Sequence, residues 1–338
     1  MALTDAEIRP PEYNEGKERA LQKDLDWLRA KISGFVDVDC PACDGEHREH
    51  EFEKFGFSFV RCLNCATVYM SPRASAATLA EFYATSELYK FWNEFIFPSS
   101  DAVRREKIFI PRIRRVLEIC QRFDVPRELL IEVGAGHGIF CDELRKRKEF
   151  RRVLAIEPAT ALAAHCRSLG IETIESVIEN ITLDSAADVI VSFEVLEHLF
   201  SPREFLLQCA TLQDVGGLLV LTCPNYQGFD IQTLGDASDS LDAEHINLFN
   251  PWSLPQLVRT CGYEVLECTT PGELDADIVR QKVLRGELVL TRYPFLHKVL
   301  IDDWHDLGNS FQRFLRENRM SSHMWLAARR AAVDPKLS

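Results

Sequence analysis

Apolar residues recur at helical spacing near the start of the chain and fall into short strand-length runs further on. Between Tyr13 and Ile32, Leu21, Leu25, Leu28 and Ile32 follow one another at intervals of four, three and four, which predicts a helix with one apolar stripe. A packing helix accounts for that stripe; a dimerisation arm, and with it a homo-oligomer, is the alternative. Phe57 and Phe59 alternate around Ser58 just after Gly56, the pattern of a short hairpin. From Leu129 the chain alternates between apolar runs at 129–133, 152–156, 188–193 and 217–222 and helical patterns such as Ile139 to Arg147. A further helix is expected over Ser253 to Thr260. Trp304, Leu307, Phe311 and Phe314 make another helical stripe, and a last strand follows at about Met324 to Ala328. This alternation predicts an α/β fold with a doubly wound sheet. There is no internal repeat and no low-complexity segment.

Four segments result: an N-terminal helix (1–34), a cysteine-bearing module (35–72), a helical connector or lid (73–127) and the sheet domain (128–338). The connector carries Phe82, Tyr83, Tyr89, Phe91, Trp92, Phe95 and Phe97. Such a cluster reads as a helical core, or else as a lid or aromatic wall of a binding pocket.

Cys40-Pro-Ala-Cys43 and Cys62-Leu-Asn-Cys65, separated by eighteen residues, have the spacing of a zinc ribbon. Each turn offers two thiolates, and two turns complete a closed tetrahedron with no open position for catalysis, so the expected Zn²⁺ is structural. From Phe35 to Pro72 seven acidic residues face three basic ones, and four thiolates on Zn²⁺ add further negative charge, which disfavours nucleic acid.

The whole chain points the same way. Its 338 residues carry a formal charge of −13, which repels phosphate backbones and favours a small-molecule acceptor. The charged start, Met1 to Arg29, has neither an apolar signal core nor a cleavage site, and no stretch approaches eighteen consecutive apolar residues. A cytoplasmic protein without membrane insertion is expected. Most of the eleven cysteines sit singly within apolar patterns, as free thiols do in a reducing compartment.

Glu132-Val-Gly-Ala-Gly-His-Gly138 lies between an apolar run and a helical pattern, and Glu157 ends the next apolar run. Strand, glycine turn, helix, strand and acidic tip together hold an adenosine-bearing cofactor. A dinucleotide fingerprint has glycine at its sixth place; here that place is Ile139. The pyrophosphate reading is therefore weakened.

With these residues in hand, the region from about Glu128 to Arg330 resembles the class I S-adenosylmethionine-dependent methyltransferases. Glu132 to Gly138 is similar to the family's first motif, and Val153-Leu-Ala-Ile-Glu157 to its second strand. Ala187 to His198 resembles the fourth strand and following turn, and Gly216 to Asn225 the fifth strand. The resemblance implies a seven-stranded Rossmann-like sheet whose last strand, Ser321 to Arg330, is antiparallel. It also implies S-adenosylmethionine as cofactor: Gly134, Gly136 and Gly138 against its methionine part, Glu132 helping to place its amino group, Glu157 on the ribose hydroxyls, Ser176 and Val177 near adenine, and Phe193 and Glu194 where the methyl group is presented. A ribbon followed by such a domain is similar to zinc-bearing methyltransferases of bacterial sugar and polysaccharide pathways, which implies a sugar, nucleotide-sugar or glycan acceptor. The sugar C-methyltransferases among them carry a further large C-terminal domain, whereas this sequence is expected to end soon after its last strand. An RNA-modifying methyltransferase and a non-catalytic cofactor-binding module are the alternatives.

For a general base the candidate is His245, in a loop before the helix at Ser253, since an imidazole titrates near neutrality. Glu244-His245 resembles the acidic-plus-histidine pair of the sugar C-methyltransferases. His198 is the rival, read instead as orienting the turn below the cofactor. Glu194 is expected to reach the methyl group better than Glu197. Asp275 and Asp277 read equally as lining a pocket and as the solvated start of a helix.

Overall fold

The computed structural model describes residues 3–332; residues 1–2 and 333–338, the outer ends of the first and last expected segments, lie outside the described residues. Its strands are β1 (Arg48–Lys54), β2 (Phe57–Cys62), β3 (Val68–Met70), β4 (Leu129–Val133), β5 (Arg152–Ile156), β6 (Glu172–Ile174), β7 (Val189–Phe193), β8 (Leu218–Pro224), β9 (Asn247–Leu248), β10 (Tyr263–Thr269) and β11 (His323–Arg330). They form one seven-stranded sheet, ordered β10-β11-β8-β7-β4-β5-β6, and one four-stranded sheet, ordered β1-β2-β3-β9.

In the large sheet β4 to β8 are parallel, whereas β11 runs antiparallel between β8 and β10. Alternate strand residues enter two cores. Ile131, Val133, Ile190 and Leu221 pack on one face with Phe205, Leu254 and Leu257. Leu130, Val189, Val191 and Val220 pack on the other with Ile113, Val116, Phe140 and Leu144. Both faces are covered, so the central strands appear in the sequence as continuous apolar runs rather than alternating ones.

The N-terminal helix, Asn14–Arg29, lays Leu25 and Leu28 on Phe57 and Phe59 of the β1–β2 hairpin, so its stripe is covered within the chain. Ile32 departs from the expected stripe: it falls in the turn after the helix and is exposed. The helix Trp304–Glu317 forms as expected, but its stripe splits. Trp304 and Phe311 meet the cluster around Val279 and Leu300, while Phe314 is half exposed. At 3.6 residues per turn, Leu307 and Phe314 stand about 60° round the axis from the other two, beyond the single neighbouring surface.

Asp275 differs from both readings offered for it, while Asp277 lines a groove without being solvated. Asp275 is buried and accepts hydrogen bonds from Ser321 Oγ at 2.7 Å and Gln312 Nε2 at 2.6 Å, so it ties a helix start to the approach of β11. Asp277 is also buried and accepts from the Asp5 amide at 3.2 Å. It borders a groove with Arg280 and Trp304 that none of the cofactor candidates line.

The four-stranded sheet does not stand apart. Its last strand, β9, belongs to the loop after β8, so the cysteine hairpin is completed by two residues of the sheet domain. Met70 N–H donates to Ile246 O at 3.0 Å. Buried Arg73 donates to Asn247 Oδ1 at 2.7 Å and to Phe200 O at 2.6 Å. The Asn247 amide in turn donates to Leu196 O at 3.1 Å and Leu199 O at 2.7 Å. No helix among the described residues is long and apolar enough to cross a membrane.

Asn247→Ala removes the acceptor of a buried guanidinium and the donor to these carbonyls, and is expected to destabilise the chain by about 2–3 kcal/mol. Urea unfolding measures this; an unchanged midpoint would refute the role given to Asn247.

Candidate active site and cysteine cluster

The glycine turn follows β4 with Gly134, Gly136 and Gly138 at φ of 75°, 56° and 70°. A Cβ at Gly134 would lie 2.6 Å from Val195 Cγ2, so the turn packs against the segment after β7 only because that Cβ is absent. Gly136 differs: a Cβ there meets nothing within 4 Å, and its backbone therefore borders open space at the strand tips.

Glu157, buried at the end of β5, accepts from Gly136 N–H at 2.8 Å through Oε2 and from Ala159 N–H at 2.9 Å through Oε1. Each oxygen keeps a lone pair for a ligand hydroxyl. Burial raises its pKa, against these two amides. Glu132 faces the first turn of the helix Ile139–Arg147, where its Oε2 accepts from Cys141 N–H at 3.3 Å. Burial pushes this carboxyl up to about 8. Ser176 and Val177 follow β6, which pairs with β5; Val177 is exposed and Ser176 half-buried beside the Glu157 tip.

At the tip of β7, Phe193 packs on Phe140 and carries Arg112 over its ring at 4.7 Å. Glu194 adopts φ 56° and keeps two-fifths of its side chain accessible, whereas Glu197 is fully buried. The Glu194 Oε1 accepts from Thr222 Oγ1 at 2.6 Å and lies 3.3 Å from His323 Nδ1 and 3.4 Å from Arg112. Burial would raise this carboxyl, but His323, Arg112 and Thr222 together hold it well below its ordinary range. It is an ionised group at an open strand tip.

Arg112, Thr222 and His323 were not among the expected site residues. Arg112 had a signal: it lies four residues before Val116 on the buried side of an amphipathic helix, Ile110–Arg122, where a cation needs a partner.

His245 and His198 come together, with ring centroids 4.7 Å apart. Nδ1 of His245 lies 2.9 Å from Ser240 O, and Nδ1 of His198 lies 3.2 Å from Glu244 O. A carbonyl accepts only, so each Nδ1 carries the proton and each Nε2 keeps its lone pair. His198 thus ties the turn that bears it to the His245 loop. Burial, then His245, lowers the His198 pKa to about 3. Glu244 contributes this carbonyl, while burial and then Asp242 raise its carboxyl well above the usual range.

The connector's aromatic residues divide between two tasks. Phe82 is buried against Trp27, and Tyr83 stands edge-on to His198. Phe97 packs on His137 of the glycine turn at 5.0 Å, and Asn93 Oδ1 lies 3.1 Å from His137 Nε2. Two π-helical turns, Trp92–Ile96 and Arg105–Phe109, interrupt the helix on which these residues ride. Arg105 pairs with Asp142 at 2.9 Å and Glu143 at 2.7 Å, fastening the connector to the helix after the turn.

The four cysteines form the second centre. Cys40 Sγ lies 3.4 Å from Cys65 Sγ, Cys43 Sγ lies 3.5 Å from Cys62 Sγ, and all four fall within 4.8 Å of one another. A tetrahedral Zn²⁺ with sulfur at about 2.3 Å sets sulfurs about 3.8 Å apart. The cluster fits one such ion, consistent with a zinc ribbon.

Comparison with known proteins agrees with this architecture. Residues 104–268 match the family model described as a methyltransferase domain. A protein of Mycolicibacterium smegmatis described as a probable S-adenosylmethionine-dependent methyltransferase is 27% identical over 139 residues, covering 40% of this chain and 52% of that protein. A ubiquinone biosynthesis O-methyltransferase of Rhodopseudomonas palustris is 24% identical over 166 residues, covering 47% of this chain and 59% of that one. The chain spans about half the length of these relatives. Among solved structures, an S-adenosylmethionine-dependent methyltransferase of Clostridium acetobutylicum superposes with a TM-score of 0.48 at 9% identity, over 71% of this chain and 99% of that one. The seven-stranded sheet with its antiparallel β11 is the Rossmann-like methyltransferase fold.

Two outcomes are expected. Chelation of zinc exposes Cys40, Cys43, Cys62 and Cys65 together, so that a thiol reagent counts four more reactive cysteines; an unchanged count would exclude a shared ion. The second concerns pH. Burial, then His165, lowers His137 from 6.5 to about 4, so it stays neutral when folded. Its contribution is complete above pH 6.5 and is lost as pH falls toward 4, because the unfolded chain takes up the proton first. The melting temperature should fall less steeply across that window in His137→Gln than in the wild type. Parallel profiles would remove His137 as a source of acid sensitivity.

Proposed function

We propose that this chain is an S-adenosylmethionine-dependent methyltransferase whose acceptor is a small hydroxyl-bearing molecule: a sugar, a nucleotide-linked sugar or a glycan end. The observation that carries the reading is the convergence of an open glycine backbone at Gly136, a two-oxygen acceptor at Glu157 and an ionised carboxylate at Glu194 on neighbouring strand tips. Such tips are where open α/β sheets bind ligands.

These residues fit the cofactor. Gly134 and Gly136 let its methionine part lie against main chain, Glu157 offers lone pairs to both ribose hydroxyls, and Ser176 and Val177 border the adenine end. Glu132, held on the helix Ile139–Arg147, fixes the turn from behind. When bound, the cofactor supplies an electrophilic methyl on a sulfonium. The acceptor oxygen bonds to that carbon as the carbon–sulfur bond breaks, with the electron pair passing to sulfur. Alignment is therefore the main task, worth up to about 7–11 kcal/mol in favourable cases. Phe193 and Glu194 bound the methyl end, and the acceptor's proton leaves toward the His245 corner, where both Nε2 lone pairs are free. Glu244 supports that corner through its carbonyl. The acidic ribbon surface and the charge of −13 support a small acceptor over nucleic acid.

Two substitutions test the cofactor site. Gly136→Ala should cost only about 1–2 kcal/mol of stability, from its left-handed backbone. It should nevertheless weaken S-adenosylmethionine binding by at least about tenfold, since the new methyl occupies the cradle. Glu157→Ala should weaken binding similarly. Calorimetry on the zinc-loaded protein reads both; full affinity in both variants, or no binding by the wild type, would overturn the reading.

A further inference from the structure

Glu197, His198 and His245 form a cluster of which the proton route described above uses only the two imidazoles, leaving the buried carboxylate without a task. One ligand atom from each lies within 4.8 Å of the others. Glu197 is completely buried, and neither of its carboxylate oxygens has a hydrogen-bond partner. A carboxylate left this way is costly unless a cation or donor meets it. The two imidazoles lie beside it. With both Nδ1 atoms committed to the carbonyls of Ser240 and Glu244, Nε2 is the free nitrogen on each ring. Ligating histidines are oriented in this manner, by a carbonyl on the opposite nitrogen.

The surrounding fold holds all three in place. Glu197 and His198 lie in the short turn Leu196–His198 after β7, and the Asn247 amide donates to the carbonyl groups of Leu196 and Leu199 around it. His245 precedes β9 by two residues, and its backbone N–H is fixed by Asp242 Oδ1 at 2.7 Å. The His245 side chain is 18% exposed, so the cluster keeps an accessible edge while Glu197 is closed off.

We infer that Glu197, His198 and His245 hold a divalent transition-metal ion, distinct from the ion of the cysteine cluster, with an open coordination position for the acceptor oxygen. Two imidazoles and one carboxylate are a donor set that takes Zn²⁺ and its first-row neighbours, and three protein ligands leave room for a fourth. The consequence for the reaction rests on the methyltransferase reading. With the ion bound, the acceptor hydroxyl would lose its proton to solvent water more readily, and its oxygen would bond to the methyl carbon as the carbon–sulfur bond breaks. The imidazole nitrogens then act as ligands rather than as proton acceptors, which makes the substrate class an oxygen nucleophile. The ion site itself stands on the cluster alone.

Cobalt separates the two centres, because only the cysteine cluster gives thiolate charge-transfer absorption. Chelated full-length protein titrated with Co²⁺ should show these bands together with a second saturable set of visible bands that lack thiolate character. Glu197→Gln and His245→Asn should weaken the second set at least tenfold and leave the thiolate bands unchanged, which also reports that each variant folds. If either variant loses the thiolate bands, His198→Asn takes its place. Wild-type protein that saturates with thiolate bands alone, or folded variants that bind Co²⁺ as tightly as wild type at both centres, would overturn the inference. Calorimetry with S-adenosylmethionine on the same samples keeps a failure of the methyltransferase reading distinguishable from a failure of the metal site.

Discussion

The pairing of β3 with β9 is the contact on which both ends of the molecule depend. It is only two residues long, Val68 with Leu248 and Tyr69 with Asn247, yet it makes the loop that carries His245 into the last strand of the cysteine-bearing sheet. Asn250 strengthens the junction by donating to the carbonyls of Cys65 at 3.2 Å and Ala66 at 3.0 Å, in the second cysteine turn. An ion in the cysteine cluster would therefore fix more than a hairpin. It would fix β3, through β3 the strand β9, and through Asn247 the turn bearing Glu197 and His198. A closed four-thiolate site has no chemistry to offer a substrate, but it can set the position of groups that do.

The glycine turn is built on a different principle. It is placed by backbone contacts that side chains would forbid, with Val195 filling the space a Cβ at Gly134 would need. Glu157 closes the turn through the Gly136 amide. The connector reaches the same turn through Phe97 and Asn93 on His137 and reaches the His198 corner through Tyr83. Successive helices of the connector, broken at Ser86, thus touch both the glycine turn and the His198 corner. The two π-helical turns within the connector are places where such helices depart from regular geometry at functional sites.

Much of this could be read from the residues themselves. The strands at 129–133 and 152–156 lie where the apolar runs put them, because parallel strands covered on both faces leave an unbroken apolar signature. The helix Ser253–Thr260 was equally plain. β9 was not: two residues are too few for any periodicity, and their pairing depends on a partner almost two hundred positions away. The Glu194 surroundings were hidden for the same reason, since Arg112, Thr222 and His323 come from three separate elements. Asp275 misled because a carboxylate at a helix start looks the same in sequence whether water or Ser321 satisfies it.

The sequence by itself determined the elements and the local chemistry: cysteine turns that can share one ion, glycines where backbone must be approached closely, and an acidic residue at a strand tip. Each follows from short-range spacing and residue type, which the chain carries within a few positions. Only the tertiary structure decided which of these meet. It placed the cysteine hairpin under the His245 loop, buried Glu197 without a partner beside two imidazoles, and set His323 and Arg112 on Glu194. Such meetings are made by strand pairing and burial between distant segments, and no local pattern encodes them.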